Sequence, residues 1–240
     1  MLTALLDGAV LAERTGAGDA RVLALHGWAR TRADLLPAVE GWASLVPDLP
    51  GFGASPPPPT AWGSREYAEQ LAPLLADGGW TVIGHSFGGR VAVQLAAGWP
   101  ELVSGVVLTG VPLLRPAGSG TKAPLAYRLA KRLHRAGLVS DDRMEQQRRL
   151  HGSADYRNAT GVVRDCLVKL INEDYRDVLP LITAPVEMVW GAGDTAAPLA
   201  MAREAQGLVP QASLSVSESS GHLLDAALYV LLREKTAALA

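Results

Sequence analysis

The sequence predicts an α/β protein: a mostly parallel central sheet with helices on both faces, and a helical segment inserted into it. Three observations carry this. Short runs in which successive residues are apolar alternate along the chain with helix-period stretches, the pattern of strands buried on both faces of a parallel sheet. One such run, ending Val82-Ile83, passes through Gly84-His85-Ser86-Phe87-Gly88-Gly89 straight into a helical pattern. Residues 113–180 break the alternation and carry helical patterns only.

In chain order, Thr3 to Leu6 and Ala9 to Glu13 flank Asp7-Gly8, the signal of a hairpin closed by a type I′ turn. Strands follow at Arg21 to Leu25, Ala43 to Val46, Thr81 to Ile83, Gly105 to Thr109, Val186 to Trp190 and Leu214 to Val216. Helices are expected at Ala33 to Glu40, Ser64 to Asp77, Gly89 to Gly98, Ala200 to Leu208 and from Leu223 onward. Pro56 to Pro59 reads as a local spacer. Within the insertion, Ala123 to Ala136, Asp141 to His151 and Ala154 to Asn172 are expected as helices, with Gly137 and Gly152 as stops. The organisation is therefore a core from residues 1–112 and 181–240, interrupted by 113–180.

A length of 240 residues with 48% hydrophobic and 19% charged content supports a substantial core. A net charge of −2 gives no sign of nucleic-acid binding. With Cys166 as the sole cysteine no intrachain disulfide can form, and a reducing compartment is expected. Its neighbours Val162, Val163, Leu167 and Leu170 make that thiol one face of a packed helix. The chain opens without the pattern of a signal peptide and has no apolar run of membrane-spanning length, so a cytoplasmic protein with no membrane role is expected.

The chemistry starts at Ser86. A serine between small residues at a strand-to-helix junction sits on a tight turn with its hydroxyl projecting, and the Phe87 N–H beside it can bind an anion. Glycine is required at Gly84 and Gly88 because a Cβ there would strike the neighbouring strand or the incoming helix. A plain loop with the same letters is the competing reading. A hydroxyl needs a base, and the base needs an orienting group. Among the five histidines, His26 ends a strand where it would order a loop, and His85 precedes the serine and faces away from it. His134 and His151 lie in polar helical segments. His222 follows a strand and a Glu218-Ser219-Ser220-Gly221 turn, where rigid scaffolds present functional groups. Asp194 likewise ends a strand in Gly191-Ala192-Gly193-Asp194, a setting that by itself more often gives only an Asx-turn or a helix N-cap.

Ser86, Asp194 and His222, each after its own strand and in that order, resemble the triad of the α/β-hydrolase family. The resemblance extends to His26-Gly27-Trp28 and to Asp48-Leu49-Pro50-Gly51-Phe52-Gly53-Ala54-Ser55, and covers the chain outside roughly 113–180. It implies the α/β-hydrolase fold with a helical lid at 113–180, Ser86 as nucleophile, His222 as base and Asp194 as its partner. Trp28 and Phe87 would donate backbone N–H groups to an oxyanion hole, and no metal or organic cofactor is called for. Residues beside these motifs, His26, Gly27, His85, Leu113 and Leu223, are the candidate lining of a substrate pocket. Relatives that open epoxides or remove halides carry Asp at the nucleophile, so Ser86 argues against those reactions.

The expected substrate is a small molecule bearing an acyl group, most simply a carboxylic ester cleaved through an acyl-enzyme. A carbon–carbon bond hydrolase or lyase using the same residues, and a binding protein with a retained pocket, stay open. The insertion holds 13 basic and 8 acidic residues, so it carries +5 while the remainder carries −7. The Arg128, Lys131, Arg132 and Arg135 stripe is either a solvated face or a site for an anionic substrate or an acidic carrier protein. Some relatives with a His-Gly-Trp oxyanion strand act on pimeloyl groups held by such a carrier, although this chain has His85 where they have tryptophan.

Overall fold

The computed structural model describes residues 2–115, 134, 140 and 154–239. Eight strands form one sheet in the order β1-β2-β4-β3-β5-β6-β7-β8: β1 (Leu2–Leu5), β2 (Val10–Thr15), β3 (Val22–Leu25), β4 (Ser44–Asp48), β5 (Trp80–His85), β6 (Val103–Thr109), β7 (Val186–Gly191) and β8 (Ala212–Ser217). The pairs β1/β2 and β2/β4 are antiparallel; all others are parallel. Asp7-Gly8 turns the first hairpin as the sequence implies: both have positive φ, and the Ala9 N–H donates to the Leu6 carbonyl at 3.1 Å.

The two-sided apolar character of the strands follows from the period of two in side-chain direction. Leu23, Leu25, Val82, Leu108, Met188 and Trp190 face one core, and Val22, Ala24, Ile83, Val107 and Val189 the other. Helices α1 (Ser64–Leu71), α2 (Phe87–Gly98) and α5 (Leu199–Gln206) cover the first face through residues such as Tyr67, Val91, Leu95 and Ala202. The second is covered by α6 (Ala226–Ala237), through Leu228 and Leu232, and by two short 3-10 turns. Between them lie α3 (Ala154–Asn158) and α4 (Gly161–Leu170).

Four expected elements are corrected. Ala33 to Glu40 is not an α-helix but two 3-10 turns, Arg32–Asp34 and Leu36–Val39, because Pro37 lacks the N–H a continuous helix needs. Pro73 likewise ends α1 at Leu71, and a 3-10 turn Ala72–Leu75 follows. The stretch from Ala154 to Asn172 splits into α3 and α4 across Thr160-Gly161, where Gly161 has φ +52°. The last helix does not start at Leu223; Asp225 caps it, accepting the Leu228 N–H at 2.9 Å. The expected helices at 123–136 and 141–151, with the basic stripe, lie outside the described residues.

Chain order places β4 on one side of β3 and β5 on the other. The connections leaving β3 and β5 therefore diverge and open a crevice at the strands' carboxyl ends, where open α/β sheets bind ligands. Trp28 follows β3 and Ser86 follows β5 at that crevice.

Candidate active site

Ser86 takes φ +50° and ψ −113°, a conformation costly for a residue with a Cβ. Its surroundings leave little alternative. Its N–H donates to the Thr109 carbonyl of β6 at 2.9 Å, and the next turn starts α2 at once. A Cβ on Gly84 would lie 2.4 Å from Gly89 Cα, and one on Gly88 would lie 2.3 Å from the Leu25 carbonyl oxygen, so the helix can cross this close only with glycine at both positions.

Two further loops converge on this turn. The Gly193 N–H donates to the Ser220 carbonyl at 3.0 Å, which lays the loop after β7 against the loop after β8. His222 Nε2 then stands 3.2 Å from Ser86 Oγ, while its Nδ1 is 2.9 Å and 3.0 Å from the two carboxylate oxygens of Asp194. The Asp194 side chain is fully buried, and its Oδ1 also accepts the N–H groups of Ala196 at 2.9 Å and Ala197 at 2.7 Å. The Asx-turn and the contact with histidine are thus both present. Burial opposes the Asp194 charge, yet the His222 hydrogen bond and these two N–H groups outweigh it and hold the carboxyl below the usual aspartate range. A carboxylate is acceptor-only, so Nδ1 carries the proton and Nε2 presents its lone pair to the serine hydroxyl. Such a chain can draw a proton from Ser86 and hold the resulting imidazolium.

Phe87 heads α2, so its N–H has no carbonyl one turn back to bond. The Trp28 N–H donates to no acceptor among the described residues. The Trp28 ring packs edge-on against Phe52 and Phe87, at 4.8 Å and 5.6 Å between centroids, which fixes the loop after β3 beside the serine. A cleft of about 200 Å³ opens over Ser86 and His222, walled by Trp28 and Phe87 below and by Leu167, Leu170 and Ile171 of α4 and its end. Among the described residues no cluster of three or more His, Cys, Asp or Glu could hold a metal ion.

None of the five expected pocket residues is among those that line the cleft formed by the described residues. His26 is wholly buried and structural: its Nε2 accepts the Leu49 N–H at 2.9 Å and its Nδ1 donates to the Gly27 carbonyl at 2.8 Å. Gly27 is the space beneath Ser86, since a Cβ there would lie 3.0 Å from His85 Nδ1. His85 is itself buried behind the cleft, and Leu113 belongs to the core. Leu223 is 61% exposed and is not a wall of the cleft. The sequence reading missed Arg90, which lines the cleft on the first turn of α2. Its Nε donates to the Pro112 carbonyl at 3.1 Å and its Nη1 to that of Leu170. A spacing of four from Ser86 along a helix was the available signal.

The Asp48-to-Ser55 stretch also gains a physical reading. The buried Asp48 carboxylate accepts the backbone N–H groups of Arg32 and Ala54, each at 2.8 Å, and the Arg32 guanidinium at 2.6 Å. Gly53, with φ +54°, is wrapped so closely around it that a Cβ would lie 2.3 Å from the carboxyl carbon. This knot anchors the loop that carries Phe52 to Trp28.

Parallel sheet, serine turn and the two converging loops together define a hydrolase of the α/β class. A family model described as "Alpha/beta hydrolase family" matches residues 22–231, and the chain belongs to that family. Among curated relatives, a 2-hydroxy-6-oxononadienedioate/2-hydroxy-6-oxononatrienedioate hydrolase from Pseudomonas sp is 25% identical over 249 residues, spanning 90% of this chain and 86% of the relative. A pimeloyl-[acyl-carrier protein] methyl ester esterase from Aromatoleum aromaticum is 29% identical over 231 residues, spanning 82% and 89%. The solved structure of an esterase from Exiguobacterium antarcticum superposes with a TM-score of 0.73 at 20% identity, covering 99% of this chain and 97% of that one, a likeness of fold.

Proposed function

We propose that this protein is a serine hydrolase that cleaves a carboxylic ester through an acyl-enzyme. The observation that carries the reading is the unbroken chain Ser86 Oγ, His222 Nε2, His222 Nδ1, Asp194 carboxylate, at 3.2 Å and then 2.9 Å, at the mouth of a cleft. Ser86 attacks the acyl carbon as His222 takes its proton; the oxyanion is received by the N–H groups of Trp28 and Phe87, each worth about 3 kcal/mol of barrier for donors of this kind. His222 then protonates the leaving alcohol and later activates water against the acyl-enzyme. Asp194 keeps the imidazole in the productive tautomer and stabilises its charge. Leu167, Leu170 and Ile171 give the cleft beside the serine an apolar wall, which favours apolar acyl or leaving groups. The net positive charge of residues 113–180 is proposed to attract an anionic substrate or acidic carrier, a role supported by the name of the Aromatoleum relative.

Turnover of a short p-nitrophenyl ester by the wild type, abolished by Ser86→Ala with the thermal unfolding curve unchanged, is the expected result. Equal turnover by the variant refutes the assignment. A second reading, hydrolysis of a carbon–carbon bond, is favoured by the name of the Pseudomonas relative. A panel of simple esters against ring-fission diketones separates the two by which class gives the larger kcat/KM.

A further inference from the structure

His85 is used by nothing described so far, yet it is 2% exposed and lies directly beneath the reacting groups. Its Nε2 is 3.0 Å from the main-chain carbonyl oxygen of His222, 137 residues away, and the two imidazole centroids are 5.3 Å apart. A carbonyl oxygen only accepts, so the proton sits on Nε2 and Nδ1 is left as a lone pair. That Nδ1 is fully buried and has no hydrogen-bond partner among the described residues. A buried polar atom without a partner costs about 1–3 kcal/mol, so a purely structural site would be better filled by an apolar side chain or a satisfied amide.

The segment that His85 holds is the one whose position matters. His222 lies between β8 and α6, outside any helix or strand. The contact with His85 is the hydrogen bond that the His222 main chain makes among the described residues. The neighbouring anchors act on other residues: Ser220 through the Gly193 N–H, and Asp225 as the cap of α6. On the far side of His85, Gly27 supplies the room, since a Cβ there would approach Nδ1 to 3.0 Å and Ser86 Cβ to 3.5 Å. His85 therefore spans the gap between the loop after β3 and the loop that carries the base.

We propose that His85 is a positioning residue: its Nε2–H fixes the His222 backbone and so sets the reach of the imidazole to Ser86 Oγ. The inference rests on the proposed function, because it assigns His85 a role in placing the proposed base. The Asp194 contact fixes the ring's tautomer and tilt, and the His85 contact fixes the backbone from which the ring hangs. A misplacement of about 1 Å in such a pair costs on the order of 100-fold in rate.

The test compares two amides that fit the same space. In His85→Gln the amide nitrogen reaches about as far as imidazole Nε2 and can still donate to the His222 carbonyl; in His85→Asn it reaches only as far as Nδ1. With a p-nitrophenyl ester, His85→Asn is expected to lower kcat on the order of 10- to 100-fold, with KM within about threefold and an equal fall in the rate of fluorophosphonate labelling of Ser86. His85→Gln is expected to restore most of that loss. Melting curves and labelling stoichiometry normalise every rate to folded protein, so a stability effect alone leaves kcat per folded molecule unchanged. Folded His85→Asn with kcat within about twofold of wild type overturns the proposal, as do equal losses in the two amides. Wild-type turnover that survives Ser86→Ala strikes the proposed function itself. Turnover that needs Ser86 but ignores His85→Asn strikes the positioning role alone.

Discussion

Replacing Asp194 with Asn removes a charge while keeping the shape, and the structure determines which way the new amide must turn. Oδ1 accepts two backbone N–H groups, from Ala196 at 2.9 Å and Ala197 at 2.7 Å. The amide oxygen has to stay there, because an NH2 group facing two donors would leave all of them unpaired in a buried site. The NH2 group then takes the place of Oδ2, the atom 2.9 Å from His222 Nδ1. A donor in that position repels the Nδ1 proton and leaves it only Oδ1, 3.0 Å away and already shared by two backbone N–H groups, so the balance shifts to the tautomer with the proton on Nε2, pointed at Ser86 Oγ 3.2 Å away. The serine then faces a donor where it needs a base, and the imidazolium of the transition state loses its carboxylate. A tautomer inversion of this kind costs on the order of 10⁴ in kcat, about 5 kcal/mol of barrier. The assay is kcat on a p-nitrophenyl ester from pH 7 to 9, with nitrogen-15 NMR of His222 reporting the tautomer. Retention of activity within about tenfold, or an unchanged Nδ1–H tautomer, refutes the reasoning.

Other expectations concern stability. Gly88→Ala puts a methyl group 2.3 Å from a β3 carbonyl oxygen, a backbone clash that must push α2 off the sheet; a loss of about 3 kcal/mol or more is expected in urea unfolding, and a neutral variant contradicts the close-crossing argument. Gly53→Ala meets both a positive φ and the Asp48 carboxylate, so a drop of at least about 2 kcal/mol is expected, read as a lowered Tm. Burial holds the His85 pKa down to about 4 from 6.5, with the His222 ring adding to burial and its carbonyl bond, Asp34 and Asp194 acting against it. The unfolded chain therefore binds a proton that the native protein does not between those values. Stability is fully present above about pH 6.5 and falls as pH drops towards 4, by about 3 kcal/mol from this group; His26, also lowered by burial, acts in the same direction. Urea titrations across that range should show the fall, and His85→Gln should flatten part of it; an equal slope in the variant removes His85 from the explanation.

The parts of the fold legible in the sequence were those written in local pattern. Strands such as Val106–Leu108 are apolar on consecutive residues because the two cores use alternate side chains, and every expected strand is present. Asp7-Gly8 and the glycines around Ser86 were readable because each answers a backbone constraint that no other residue meets as well. Helix limits were less legible where a proline broke the ladder, at Pro37 and Pro73, or where a better cap lay downstream, at Asp225. Ser86, Asp194 and His222 could be picked out because each follows a strand, and the structure brings all three together. Of the cleft walls, Trp28 and Phe87 were legible from their motifs, while Arg90, Leu167, Leu170 and Ile171 were not, because long-range packing that no periodicity encodes brings them to the serine. The bond from His85 to the His222 carbonyl was hidden for the same reason: its partners are 137 positions apart, and one of them is a main-chain atom.

In the proposed mechanism the Ser86 hydroxyl is activated by the His222 imidazole. The measurement that tests this most directly is the rate and site of reaction with a fluorophosphonate, located by peptide mass analysis in wild type and in His222→Ala. A single adduct on Ser86 is expected, formed rapidly in the wild type and slowed by several orders of magnitude in the variant. An adduct elsewhere, or one on Ser86 that forms equally fast without His222, contradicts the mechanism.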